Sequence, residues 1–188
     1  PDDRGTGAGD LKALADHLKL DGFHLLGTAL GGIVATDFAQ AWPDRLLSII
    51  LACTLVGVTD DDYASLSKGL RPDGFDRLPP DFRELGPSYR AANPDGVRAW
   101  LDLEHKAFHG MPPSRQPNAT TITWRTLETL PMPVLMLTGD ADLYTPPAVL
   151  RILAARIPKQ ETVIIPGAGH SAYWEQPALF NQALLGFL

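Results

Sequence analysis

The residues best suited to chemistry are an aspartate and a histidine near the C-terminal end, each following an apolar run. Asp142 lies three residues after Gly139, and His170 follows a Gly-rich turn. A carboxylate that orients an imidazole produces a general base. The group that such a base would activate is expected in residues 27–31, which read Gly-Thr-Ala-Leu-Gly and have the spacing of the strand–turn–helix motif G-x-S-x-G. Ala29 occupies the serine position, so the frame for a nucleophile is present and the nucleophile is absent.

Apolar runs that alternate with amphipathic segments are expected to position these groups. Strands are predicted at 23–27, 46–53, 134–138 and 162–165, and helices at about 10–21, 30–42, 146–157 and 177–188, the first of them capped by Asp10. Alternating strands and helices predict an α/β fold with a mainly parallel sheet flanked by helices. Because functional groups gather at the carboxyl ends of parallel strands, we expect Ala29, Asp142 and His170 to converge there.

The middle of the chain breaks this rhythm. Residues 55–130 carry no strong strand pattern, are interrupted by prolines, and contain predicted helices at about 94–108 and 120–130. We interpret 55–130 as an inserted helical cap, and 1–54 together with 131–188 as the core. Three tryptophans are candidates to line an apolar pocket beneath the cap, with ordinary core packing as the alternative for each: Trp100, Trp124 and Trp174.

Several of these stretches together resemble the α/β-hydrolase superfamily, in particular its capped esterases, lactonases and C–C hydrolases. The resemblance rests on the Gly-rich loop at residues 3–7, the elbow at 27–32, the acid loop from Gly139 to Pro146, and the segment Gly169-His170 with Glu175 and Pro177. It implies that Asp142, rather than Asp140, orients His170 as the general base. It also implies that the backbone N–H of Leu30 is one oxyanion-hole donor, and that no metal or organic cofactor takes part.

The activity implied by this resemblance is Ser-His-Asp hydrolysis of a small apolar ester, lactone or ketonic C–C bond. Three explanations of Ala29 stay open: an engineered Ser→Ala change, a natural pseudoenzyme that binds a ligand, and serine-independent proton transfer by His170 and Asp142, as in a cofactor-free oxygenase or a lyase. The intact acid and histidine favour the first and third. The resemblance further implies strands before Pro1, and we expect more residues there, because the elbow strand would otherwise be an open sheet edge.

Composition narrows the class of partner. The formal net charge of the 188 residues is −6, which argues against nucleic acid and anionic membrane surfaces. The single cysteine, Cys53, cannot form an internal disulfide and favours a reducing, cytoplasmic location. His105 and His109 have a spacing that could bind a metal, but no H-E-x-x-H pattern accompanies them and we assign no metal site. The expected partner is a small apolar carbonyl compound, and a homodimer is compatible with the sequence.

Overall fold

This computed structural model describes residues 4–108 and 116–188 of the protein. These residues include four strands and ten α-helices. The strands are β1 (Phe23–Thr28), β2 (Leu46–Ala52), β3 (Val134–Gly139) and β4 (Gln160–Ile165). The helices are α1 (Gly7–His17), α2 (Leu30–Ala41), α3 (Asp61–Gly69), α4 (Pro80–Glu84), α5 (Pro87–Ala92), α6 (Pro94–Phe108), α7 (Trp124–Glu128), α8 (Pro147–Ala154), α9 (Ala172–Glu175) and α10 (Pro177–Phe187).

The sheet is parallel throughout, in the order β1-β2-β3-β4. β3 is buried along its whole length and β2 at all but one position, because both faces of the sheet are covered, and covered parallel strands are continuously apolar. Neighbouring residues of β2 belong to different cores: Ile49 packs in a cluster with Phe38 of α2, and Ile50 in a cluster with Phe180 of α10. The predicted α/β fold with helices on both faces of a parallel sheet is therefore confirmed.

The first helix begins earlier than the sequence pattern predicts. Thr6, not Asp10, is the N-cap: its Oγ1 accepts a hydrogen bond from the backbone N–H of Gly9 at 3.0 Å, and α1 starts at Gly7. Asp10 then lies in the first turn, where a negative charge is favourable next to the helix N-terminus. Threonine and aspartate are both good caps, so the local sequence could not rank them.

The middle region is helical but less regular than predicted. Helices α3 to α7 lie between residues 55 and 130, and the described part of that range contains no strand. The predicted helix at 120–130 is shorter, because a capping box formed by Thr123 and Thr126 starts α7 at Trp124. Within the described ranges, no helix has the length and apolarity needed to span a bilayer.

Candidate active site

The turn between β1 and α2 keeps a strained backbone conformation at Ala29. Its φ of +48° and ψ of −120° are values that L-residues rarely adopt, and such a conformation costs about 1–3 kcal/mol. Glycines make the tight turn possible, since a Cβ on Gly27 would overlap the backbone of Gly31, and one on Gly32 would overlap the Thr54 side chain. The Ala29 N–H donates to the carbonyl of Ala52 at 3.1 Å, which fixes the turn against β2.

The loops after β3 and β4 bring Asp142 and His170 together. His170 Nδ1 lies 2.9 Å from Oδ2 and 3.0 Å from Oδ1 of Asp142. The Asp142 carboxylate also accepts hydrogen bonds from the backbone N–H groups of Tyr144 (2.8 Å) and Thr145 (2.9 Å) and from Thr138 Oγ1 (2.9 Å). Both members of the pair are buried. The imidazole is thus held by an acid that is itself fixed by three other donors.

This pairing changes the acidity of both groups in opposite directions. Burial acts to raise the pKa of Asp142, but the hydrogen bond and positive charge of His170, with the Thr145 N–H, outweigh it and lower the pKa overall. Burial acts to lower the pKa of His170, but the hydrogen bond and charge of Asp142, with the charge of Glu84, raise it above the ordinary value. Each group therefore stabilises the ionised form of the other.

A cavity of about 410 Å³ connects the elbow to the histidine. That volume suits a small organic ligand. Leu30 begins α2, so its backbone N–H has no intrahelical acceptor. The residues that line the cavity are Ala29, Leu30, Ile33, Cys53, Thr54, Leu55, Arg71, Glu84, Tyr144, Thr145 and His170. The structure thus brings Ala29, Leu30 and His170 to one cavity, with Asp142 behind the imidazole.

The predicted tryptophans do not join this lining. Trp124 packs edge-on against Tyr63 with ring centroids 5.2 Å apart, and the Arg156 guanidinium lies 5.0 Å from the Trp124 ring. Trp174 lies in α9 and Trp100 in α6, and neither is among the described residues that line the cavity. A substrate contact by any of the three therefore rests on the sequence alone.

Of the two histidines with metal-binding spacing, one lies among the described residues. His105 is largely exposed, with Nε2 3.8 Å from Oε2 of Glu104. His109 lies outside the described residues. Over 4–108 and 116–188, no three or more His, Cys, Asp or Glu side chains are grouped closely enough to hold a metal ion.

Sequence reasoning missed a polar and aromatic group around the imidazole. The Tyr144 ring lies 4.5 Å from the His170 ring, and Phe75 packs edge-on against Tyr144 at 4.8 Å. Burial, with the negative charge of Glu84, raises the pKa of Tyr144 to about 12, so its hydroxyl stays protonated. Burial also raises the pKa of Glu84, against the opposing charge of His170. Tyr144 could have been suspected from its place two residues after Asp142, whereas nothing local marks Glu84.

A second buried carboxylate, Glu175, joins the middle region to the histidine loop. Its Oε2 accepts the N–H of Gly86 at 2.6 Å, and its Oε1 accepts the N–H of Gly169 at 2.8 Å. The Ser171 N–H also donates to the Glu84 carbonyl at 3.0 Å. The sequence marks Glu175 as part of a motif, and the structure shows a physical reason: one carboxylate satisfies donors from two segments that are distant in sequence.

Cys53 is a potential nucleophile in the cavity wall, but its thiol is held in the protonated form. It follows β2 at a φ of +49°, is buried, and contributes to the cavity wall. Burial, with the negative charge of Asp142, raises the pKa of its thiol, so the thiol remains protonated near neutral pH. Asp140, the carboxylate near Asp142, is used in the turn, where its Oδ1 accepts the Gly167 N–H at 2.9 Å.

The chain is similar to known proteins along nearly its whole length. A family model described as the alpha/beta hydrolase family matches residues 1–183. The chain is 29% identical to 2-hydroxy-6-oxononadienedioate/2-hydroxy-6-oxononatrienedioate hydrolase of Klebsiella pneumoniae, covering 95% of this chain and 66% of that protein. It is 24% identical to the pimeloyl-[acyl-carrier protein] methyl ester esterase of Aeromonas hydrophila, covering 88% of this chain and 70% of that protein.

The fold is also similar to that of an esterase of known structure. A thermophilic esterase from Thermogutta terrifontis superposes with a TM-score of 0.71 at 27% identity, covering 97% of this chain and 71% of the esterase. The chain thus spans about two thirds of the length of the curated hydrolase and slightly more of the two esterases.

Proposed function

This chain belongs to the alpha/beta hydrolase family, and we propose that it carries the active-site frame of a Ser-His-Asp hydrolase in which alanine occupies the nucleophile position. One observation carries the proposal: Ala29, in the strained conformation of a nucleophile elbow, lines the same cavity as His170, whose Nδ1 is fixed by Asp142. The substrate class is a small carbonyl compound, namely an ester, a lactone or a ketone whose adjacent C–C bond is cleaved.

Each residue has a defined role in this proposal. A serine at position 29 would attack the substrate carbonyl while Nε2 of His170 takes its proton, and the Leu30 N–H would donate to the oxyanion that forms. His170 would return the proton to the leaving group and then deprotonate the water that hydrolyses the acyl-enzyme. Asp142 would hold the Nδ1–H and stabilise the imidazolium. With Ala29 the covalent step is absent, so the chain as it stands binds such compounds and turns them over poorly.

The direct test restores the hydroxyl. We expect Ala29→Ser to increase hydrolysis of p-nitrophenyl butyrate by at least about 10³-fold, since loss of a triad nucleophile costs up to about 10⁶-fold in kcat. A fluorophosphonate should label this variant covalently, as measured by intact mass. Thr28→Ser is the matched control, because it places a serine hydroxyl at the end of β1, one residue before the elbow position. The gain should disappear in the double variant with His170→Ala.

Two other outcomes would assign a different function. Absence of any gain, together with binding of the ester by the Ala29 protein, would favour the ligand-binding pseudoenzyme. Turnover by the Ala29 protein that is lost in His170→Ala would favour serine-independent proton transfer. The coding sequence of the source gene distinguishes an introduced alanine from a natural one.

The remaining expectations are proposals from the sequence. They are that residues 55–130 act as a cap over the site, that the protein is cytoplasmic, and that it can form a homodimer. Val56, Ile122 and Leu127 of this range pack in the same core cluster as the sheet residue Ile49, so a variant that tests the cap must keep them. Replacing only α4 to α6 with a short loop should expose the cavity while circular dichroism still reports a folded sheet. Cell fractionation and light scattering test the other two.

A further inference from the structure

The cavity is lined by an arginine, Arg71, that forms no ion pair with the part of the chain that the structure describes. Arg71 directly follows the C-cap of α3, and its Cζ lies 5.0 Å from the Phe75 ring and 5.4 Å from the Tyr144 ring. Its Nε is buried without a hydrogen-bond partner, and no ion pair joins it to any carboxylate in residues 4–108 and 116–188. Two aromatic rings therefore hold this cation in place, and no acceptor among the described residues satisfies its buried Nε.

A second polar atom in the same wall is also unsatisfied. Thr145 Oγ1 is buried and has no hydrogen-bond partner within the described residues, and both Thr145 and Arg71 line the cavity. Leaving a buried polar atom unpaired is destabilising, and more so when the group is charged, so a ligand that pairs with both atoms gains affinity. The planar fork of arginine matches a carboxylate in a bidentate manner, and the remaining lining includes the apolar side chains of Leu30, Ile33 and Leu55.

We propose that this cavity binds a substrate with a free carboxylate, which Arg71 holds, at the far end of a short apolar chain from the carbonyl that lies at Ala29. The substrate class is a monoester, or other monoacyl derivative, of a short dicarboxylic acid. The orientation toward Ala29 rests on the proposed function. Recognition of the carboxylate by Arg71 does not, because it requires binding alone.

Glu84 is the group that opposes this assignment most directly, since its carboxylate lines the same cavity. No ion pair ties it to Arg71 within the described residues, so the guanidinium is not already neutralised by it. Burial raises the pKa of Glu84, which weakens its competition with a ligand carboxylate. The positive charge of Arg71 acts to lower the pKa of His170, so a bound carboxylate should raise the pKa of the imidazole.

The first experiment measures binding to the unmodified 188-residue chain by calorimetry, with two probes of matched shape. Monomethyl glutarate carries a carboxylate where methyl valerate has a terminal methyl group. We expect Arg71→Met to weaken monomethyl glutarate binding about 10- to 100-fold and to change methyl valerate binding less than about twofold. Methionine preserves packing against the two rings, and circular dichroism checks the fold.

Two matched variants sharpen the result. Arg71 also borders a neighbouring cavity, which Arg77 lines without being among the described residues of the site wall. Arg77→Met should therefore leave both affinities unchanged if the probe binds in the site cavity, and a loss in this variant would place the probe in the neighbouring one. Arg71→Lys keeps the charge and loses the fork, so it should retain part of the preference for the charged probe. Equal affinity of Arg71→Met and the parent for monomethyl glutarate, or no binding of that probe to the parent, would overturn the proposal.

The second experiment separates this inference from the proposed function. In the Ala29→Ser background, the p-nitrophenyl monoester of glutaric acid should be preferred over p-nitrophenyl valerate, and Arg71→Met should raise KM for the charged ester far more than it lowers kcat. Arg71-dependent binding without turnover would refute the hydrolase and leave the carboxylate site standing. Turnover with a charge preference that Arg71→Met does not alter would support the hydrolase and refute the carboxylate site at Arg71.

Discussion

The elbow and the histidine loop supply different parts of the proposed active site. At the elbow, Ala29 keeps a costly backbone conformation but has no side chain that could use it. At the histidine loop, the Asp142 carboxylate is hydrogen-bonded to Nδ1 of His170 and to the Thr145 N–H. The first region is preserved in its backbone alone, and the second in its side chains.

This difference shows that the two regions are stabilised by different forces. The Ala29 conformation persists because its neighbours impose it: the Gly27–Gly31 approach leaves no room to relax, and the Ala52 carbonyl holds the Ala29 N–H. The His170–Asp142 pair persists because each group stabilises the charge of the other in a buried setting. A change at one region should therefore leave the other intact.

The largest effect is expected from removing the charge behind the imidazole. In the Ala29→Ser background, Asp142→Asn should lower kcat about 10⁴-fold, because the amide favours the wrong tautomer of His170. Steady-state kinetics with p-nitrophenyl butyrate measure it. Asp140→Asn is the matched control and should leave kcat nearly unchanged. Similar losses in both variants would mean that the assignment of Asp142 is wrong.

The next largest effect concerns the packing that strains the elbow. Gly27→Ala should destabilise the protein by about 3 kcal/mol, because the new methyl group meets the backbone of α2 rather than a movable side chain. Gly31→Ala, whose Cβ would meet nothing within 4 Å, should leave stability unchanged or raise it by up to about 1 kcal/mol, since alanine has the higher helix propensity. Urea unfolding measures both, and equal effects would remove the packing explanation.

A smaller effect should appear in the pH dependence of the pair. The His170 pKa is raised by Asp142, so the imidazole should titrate above about 6.5 by NMR. A raised pKa in the folded state means that the pair stabilises the fold below about pH 6.5 and that this contribution is lost as the pH rises through the pKa of the folded protein. In Asp142→Asn, burial remains and the His170 pKa should fall, so titration at or above its parent value would contradict this account.

The smallest effect tests the strain itself. Ala29→Gly should stabilise the protein by up to about 1 kcal/mol, since glycine adopts a positive φ without a steric penalty. Ala35→Gly, in the interior of α2 and buried, should instead destabilise it by about 1–2 kcal/mol. Thermal denaturation of the pair gives the sign of each change, and a destabilised Ala29→Gly variant would show that the elbow is not strained.

The sequence predicted the features that depend on neighbouring residues or on the parallel-sheet rule. The elbow could be predicted because the residues that define it, Gly27, Ala29 and Gly31, lie within five consecutive positions. The meeting of Asp142 with His170 followed from their places after two parallel strands. The places of Arg71 and Glu84 could not be predicted, because they depend on how the middle region docks on the sheet. That docking runs through long-range hydrogen bonds, such as Gly86 to Glu175, which leave no periodic pattern in the chain.

The two hydrogen bonds that Glu175 accepts affect how mutational data on this protein should be interpreted. Because one carboxylate holds both Gly86 and Gly169, a distortion near residue 86 reaches the residue adjacent to His170 through two hydrogen bonds. Activity lost by a substitution in this segment is thus no sign of a broken ligand contact. In a mutational scan of the middle region, lower activity would reflect either a displaced His170 or a lost contact with the ligand. Binding measurements distinguish the two causes.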